Sequence, residues 1–246
     1  MEILKQPLKI LFCLAMAAVT FWGYVIPPAM QFPAPDLARI LFFHLPCAIW
    51  CSLLVFWAPY MAARFLMDKK MHWDIRCIAA QEIGFLYGLL TMVTGIIFSK
   101  VQWGAWWSWD PRQTSFLFVL LIYGAYFVLR AAISDDVKRA ANSAAYCVVT
   151  TLPILFLIFV LPRLPQVFSL HPSNTLVEGG LKGDYRYVFL AMLVLFGVLT
   201  VWLYKLRVRA GLAELALETV NGNLETRGGS AAPTGVVRPV PVSRES

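Results

Sequence analysis

Three histidines and one dense tryptophan cluster are the residues of this 246-residue chain with most scope for chemistry. From Trp103 to Thr114 the sequence reads WGAWWSWDPRQT, four tryptophans in seven residues followed at once by Asp110, Pro111 and Arg112. His44 lies in ILFFHLPCAIW, an apolar stretch where an imidazole is costly without a partner. His171 lies in FSLHPSNTL and His72 in the basic KKMHWD. An imidazole ligates metals, an indole offers flat apolar area, and a guanidinium grips a carboxylate as a fork. Each feature also has a plain reading. His72 reads as a solvated or headgroup-level residue, His44 alone as a hydrogen bond to a neighbouring helix, and His171 alone as loop surface. Tryptophans anchor helices at membrane interfaces, and Trp22, Trp50, Trp57, Trp73 and Trp202 need no other account.

The elements that must position these residues are apolar and long. The chain is 59% hydrophobic and only 14% charged, against about 25% charged in soluble domains. Six blocks carry no charge: Ile10–Pro35, Ile40–Ala63, Ile83–Ser99, Gln113–Leu129, Ala140–Pro162 and Tyr187–Tyr204. A span needs roughly 20 apolar residues, and a backbone in lipid must satisfy its own hydrogen bonds, so the blocks are expected to be helices. The predicted fold class is an all-α integral membrane protein with six transmembrane helices and a tryptophan-rich outer loop between the third and fourth. The first block has too long an apolar core for a signal peptide and is read as a retained span.

The net charge of +7 reads as topology rather than nucleic-acid binding. With the N-terminus inside, the inner segments hold twelve Lys and Arg, from Lys5 to Arg209, and the outer segments hold six: Arg39, Lys100, Arg112, Arg163, Lys182 and Arg186. That balance favours N-in, C-in. Residues 1–209 are then the six-helix domain. Residues 210–246 are a cytoplasmic tail in which Gly211–Glu218 extends a helix and the Gly-, Pro- and Ser-rich remainder after Asn221 is disordered. The five cysteines lie in or beside spans without C-x-x-C or C-x-x-C-H spacing, which speaks against the chain being a c-type cytochrome itself. Cys47 and Cys51 share a helix face, and small buried membrane residues account for them.

This topology gathers the chemistry at one face. His44, His171 and the tryptophan loop all fall on the outer side, with Arg112, Arg39, Lys100 and Arg163 nearby. Two imidazoles supply two axial ligands to a haem iron, indoles a surface for the porphyrin, and cations clamps for its propionates. If the tryptophan segment is an interfacial helix, Trp103, Trp106, Trp107 and Asp110 share a face. Gly104 would allow close backbone approach. Asp110 would accept from indole N–H groups or pair with Arg112 to fix the loop. A quinol-oxidising b-type cytochrome is disfavoured because only one histidine lies within a span. A permease is disfavoured because the spans are nearly free of charge, Glu82 lying close to an inner end.

WGAWWSWDPRQTS, RILFFHLPCAIW and FSLHPSNTL together resemble the cytochrome c maturation protein C family, the haem exporter and haem-delivery proteins with the tryptophan-rich WWD signature. The resemblance runs from Leu8 to about Lys205. It implies haem b held as transient cargo at the periplasmic face of the bacterial inner membrane, by a multi-pass protein that is not an enzyme. It implies His44 and His171 as iron ligands, and Trp103, Gly104, Trp106, Trp107, Trp109, Asp110, Arg112 and Thr114 as signature positions. Gln113 departs from the apolar residue expected beside them. The implied partners are a periplasmic haem chaperone (CcmE type), a two-subunit ABC transporter (CcmA and CcmB types) and a small single-span protein (CcmD type). The WDPR wording also resembles the larger haem synthase branch, which attaches haem to apocytochrome directly.

Overall fold

A computed structural model describes residues 5–171 and 181–229. The described residues are helical with short connections: α1 (Lys5–Val25), α2 (Leu41–Asp68), α3 (Met71–Trp103), α4 (Pro111–Ala131), α5 (Asp136–Leu155) and α6 (Asp184–Gly229). A 3-10 turn, Asp36–Ile40, leads into α2. A π-helical turn, Phe156–Val160, and a short 3-10 turn, Leu161–Arg163, prolong α5. Six of these helical stretches are long and apolar enough to cross a membrane, as the uncharged blocks require.

Local chemistry sets the helix ends. Lys69 takes a left-handed conformation (φ 56°) and donates its N–H to Phe65 O, closing α2. Gly104 does the same for α3, with φ 83° and its N–H on Lys100 O. Glycine adopts that conformation without the Cβ penalty. Asp110 caps α4, its carboxylate accepting from the Arg112 and Gln113 backbone N–H groups, with Pro111 at the first helical position. Asp135 caps α5 in the same way through Lys138 N–H.

The core lies where α2 packs on α3 and α5, around Cys51, Ala58, Phe65, Ala80 and Cys147. Small residues let the neighbours approach: Gly197 of α6 faces the Trp50 ring, and the Trp50 indole N–H donates to Leu193 O at 2.9 Å. Asp74 of α3 and Arg130 of α4 form a buried two-pronged ion pair at 2.7 and 2.9 Å. Four of the cysteines are buried and Cys13 is exposed.

Three connections meet at one end of this bundle. Gln102, near the end of α3, accepts from Ala34 N–H and donates to Ala34 O, pinning the first loop. The tryptophan loop and the segment around Ser169 meet at Asp110. The chain divides into two units, residues 1–208 and 209–246. The second unit begins with the last part of α6, which continues to Gly229, beyond the end near Asn221 expected from composition. The expectation of disorder for 230–246 concerns residues outside those described.

Candidate functional site

A cavity of about 620 Å³ opens at the end of the bundle where these connections meet. Its walls come from α2, α3, the start of α4, the turns after α5 and the segment 170–171. His44 and His171 both line it, and so do Trp103 and Arg112. Trp106, Trp107, Trp109, Gly104, Asp110 and Thr114 are not among its lining residues.

The hydrogen bonds show which ring nitrogen of each histidine is engaged. His171 Nδ1 lies 3.1 Å from Asp110 Oδ1. A carboxylate only accepts, so Nδ1–H donates, and in the neutral ring the lone pair lies on Nε2. His44 Nδ1 lies 2.9 Å from Thr94 Oγ1. The Thr94 hydroxyl spends its single proton on Leu90 O, at 2.6 Å, so it accepts from His44 Nδ1–H. His44 Nε2 is therefore also free to ligate. Gly95 makes room for this ring: a Cβ there would stand 3.1 Å from His44 Cε1.

Asp110 is the hub. Its carboxylate is almost wholly enclosed, with 1% of the side chain exposed. It caps α4 and accepts from Ser169 Oγ at 2.9 and 3.0 Å, from Leu170 N–H at 2.6 Å, and from His171. Burial opposes its charge, but the His171, Leu170 and Ser169 donors outweigh that and hold the carboxyl well below the usual carboxylate range. Where an imidazole binds a metal, an aspartate partner of this kind fixes its tautomer and raises its basicity. Asp110 makes no side-chain pair with Arg112 and accepts no indole N–H among the described contacts, so its work differs from that expected of it.

The tryptophan segment is irregular rather than an interfacial helix: α3 stops at Trp103, and Gly104 to Asp110 form a loop. Gly104 serves as the left-handed close of α3, with open space where its Cβ would be. Trp103 packs edge-on against the His171 ring, centroids 4.8 Å apart. Trp107 and Trp109 pack edge-on at 5.8 Å. Trp106 and Trp109 are exposed, Trp109 with a positive φ of 55°. A positive φ on a bulky residue costs of order 1–3 kcal/mol and persists only where the surroundings dictate it. The loop is held from inside by Gln113, which is buried and donates to Trp106 O at 3.2 Å. A polar residue at this position thus has a structural task that the sequence did not reveal.

Of the four cations expected nearby, two line the cavity, Arg112 and Arg163. Arg112 Nε and Nη2 are buried without a hydrogen-bond partner. Unpaired buried donors are costly, and a guanidinium grips carboxylates through such N–H groups. Arg163 is exposed and donates to Ile158 O and Phe159 O. Arg39 is consumed by Gly23 O, Ile26 O and Asp36. Lys100 donates to Gly104 O and lies over the Trp106 ring. His72 stacks on Trp73 in the first turn of α3.

The family model described as heme exporter protein C matches residues 1–221. This chain belongs to the heme exporter protein C family. A heme exporter protein C from Haemophilus influenzae is 33% identical over 198 residues, 76% of this chain and 75% of its own length. One from Rhodobacter capsulatus is 30% identical over 201 residues, 76% of this chain and 78% of its own. One from Escherichia coli K12 is 33% identical over 163 residues, covering 65% and 62%. The match to heme exporter protein C covers all the cavity walls just described.

Proposed function

We propose that this chain binds haem at the outer face of the bacterial inner membrane and hands it to a periplasmic haem chaperone for c-type cytochrome maturation. The observation that supports this best is one cavity bearing two histidines from separate segments, each with Nδ1 engaged, beside Arg112, whose buried Nε and Nη2 have no hydrogen-bond partner among the described residues. The volume lies within the roughly 300–1,000 Å³ of small-molecule sites, which are mostly apolar with a few placed polar groups. Haem needs that combination: axial nitrogen donors, apolar walls and cations for its propionates.

In this reading haem b is cargo, and the chain's residues grip and release it. His44 and His171 ligate the iron, Trp103 flanks the site, and Arg112 with Arg163 receives the carboxylates. Asp110 holds His171 in its ligating tautomer. His44 rides on a helix, whereas His171 rides on a loop tied down chiefly at Asp110. Release therefore begins at His171. The exposed Trp106 and Trp109 face the chaperone. The positive-inside balance supports N-in, C-in and hence a periplasmic cavity mouth. The family supports an ABC transporter of two subunits and a small single-span protein as companions, and a transfer role rather than an enzymatic one.

The test is a visible spectrum of the purified protein with haemin added, beside His44→Ala and His171→Ala. A low-spin bis-imidazole spectrum is expected for the wild type and its loss in each variant, with His171→Ala still inserted in the membrane. A colourless wild-type protein in excess haemin, or an unchanged spectrum in both variants, overturns the proposal.

A further inference from the structure

The cavity is deeper than a haem-ligating mouth requires. Its residues on α2 run from Leu41 and His44 through Ala48 and Ser52 to Phe56. At 1.5 Å per residue, Phe56 lies about 18 Å along the axis below His44. That places it near the middle of a helical stretch, Asp36–Asp68, long enough to cross the whole membrane, and so at hydrocarbon depth.

The wall facing Phe56 is the π-helical turn after α5: Leu157, Ile158 and Phe159 line the cavity. A π turn is wider than an α turn and is found chiefly where function demands it. Non-α backbone at membrane depth is tolerated where it borders a cavity. Phe56 and Phe159 meet across this gap, ring centroids 6.2 Å apart and tilted by 33°. Both rings are exposed, as is Leu53 beside them. The same residues therefore line the cavity and face outward from the helices, at a level where outward means lipid.

We propose that the cavity has a side door to the bilayer between α2 and the π turn, closed by Phe56 and Phe159, through which its flat apolar cargo enters from the lipid. The inference rests on the haem reading given above and adds the route. Both door leaves are aromatic side chains; Phe159 lies under the Arg163 guanidinium, which stands 5.9 Å from the ring centroid, whereas swinging Phe56 aside breaks no hydrogen bond. Arg163 thus stands beside the door, bonded to Ile158 O and Phe159 O. A ring entering sideways exchanges lipid for an apolar wall, with Arg163 at the threshold to meet its carboxylates.

The test uses the full chain in liposomes preloaded with haemin, with Cys13→Ser to remove the exposed thiol. Phe56→Cys is compared before and after reaction with N-phenylmaleimide, following the rate at which the bis-imidazole band grows. Leu89→Cys, exposed on α3 outside the cavity lining, is the labelling control. The adduct at position 56 is expected to slow loading by roughly tenfold, within the spread of association rates among variants of one site, and the adduct at 89 to leave the rate unchanged. Phe159→Ala, which shortens one leaf, is expected to load faster than wild type, a gain that misfolding does not produce. Equal rates with and without the adduct at 56, or no acceleration in Phe159→Ala, overturn the door while leaving the haem site standing. No band in the unlabelled protein overturns the haem reading and the door with it.

Discussion

Replacing Asp110 with asparagine isolates the carboxylate's charge from its shape. An amide oxygen in place of Oδ1 keeps the α4 cap, because asparagine and aspartate cap helices about equally well. It also keeps an acceptor for His171 Nδ1. The amide nitrogen then replaces Oδ2 and points a donor at Leu170 N–H, whose bond to Oδ2 is 2.6 Å. One charge-assisted bond is lost, about 1.5–3 kcal/mol, and the imidazole loses its anionic partner. The combined effect on haem affinity is about 10- to 100-fold, the usual scale for an outer-shell partner of a metal ligand. The assay is a haemin titration followed at the Soret band, with the midpoint potential of the bound iron measured alongside. A less basic His171 donates less electron density, so the potential rises. The pH dependence has a definite sign. The Asp110 pKa is depressed in the folded protein, so its contribution is complete above the unfolded value near 4 and is lost as pH falls through the lower folded value. The difference in thermal stability between wild type and Asp110→Asn, without haem, is expected to be constant above about pH 4 and to shrink below it. A variant with wild-type haemin affinity and potential refutes the hub role of Asp110.

Other contacts give sharper, smaller tests. Gly95→Val puts a branched side chain where a single Cβ already lies 3.1 Å from His44 Cε1; its haem spectrum is expected to turn from bis- to mono-imidazole while the protein still inserts. Arg112→Gln removes the buried guanidinium; wild type is expected to prefer haemin over its dimethyl ester by about 10- to 100-fold, the worth of a charged hydrogen bond, and the variant to lose that preference in competition titrations. Asp74→Ala leaves Arg130 buried and unpaired and is expected to cost about 3–5 kcal/mol, whereas Asp74→Leu with Arg130→Met is near neutral; thermal unfolding in detergent checks both.

The number of spans, their apolar blocks and the loops between them were legible in the sequence. That is because membrane insertion is read locally: about 20 apolar residues and a helical backbone suffice, whatever the neighbours are. Residue type also marked His44, His171, the tryptophan run and Arg112, since an imidazole in an apolar span or four indoles in seven residues is unusual wherever it falls. What each contacts was decided by partners far along the chain. Asp110 meets His171 across 61 residues and His44 meets Thr94 across 50. Nothing local distinguishes Thr94, Ser169 or Gln113 from ordinary polar residues. Helix packing brings Trp103 to the cavity and leaves Trp106 and Trp109 outside it. It also leaves Arg112 Nε and Nη2 buried without a hydrogen-bond partner among the described residues, while Arg39 and Lys100 are consumed by nearby carbonyls. Hydrophobic length dictates that a segment crosses the membrane. Only close packing of side chains from distant segments dictates which of its faces holds the chemistry.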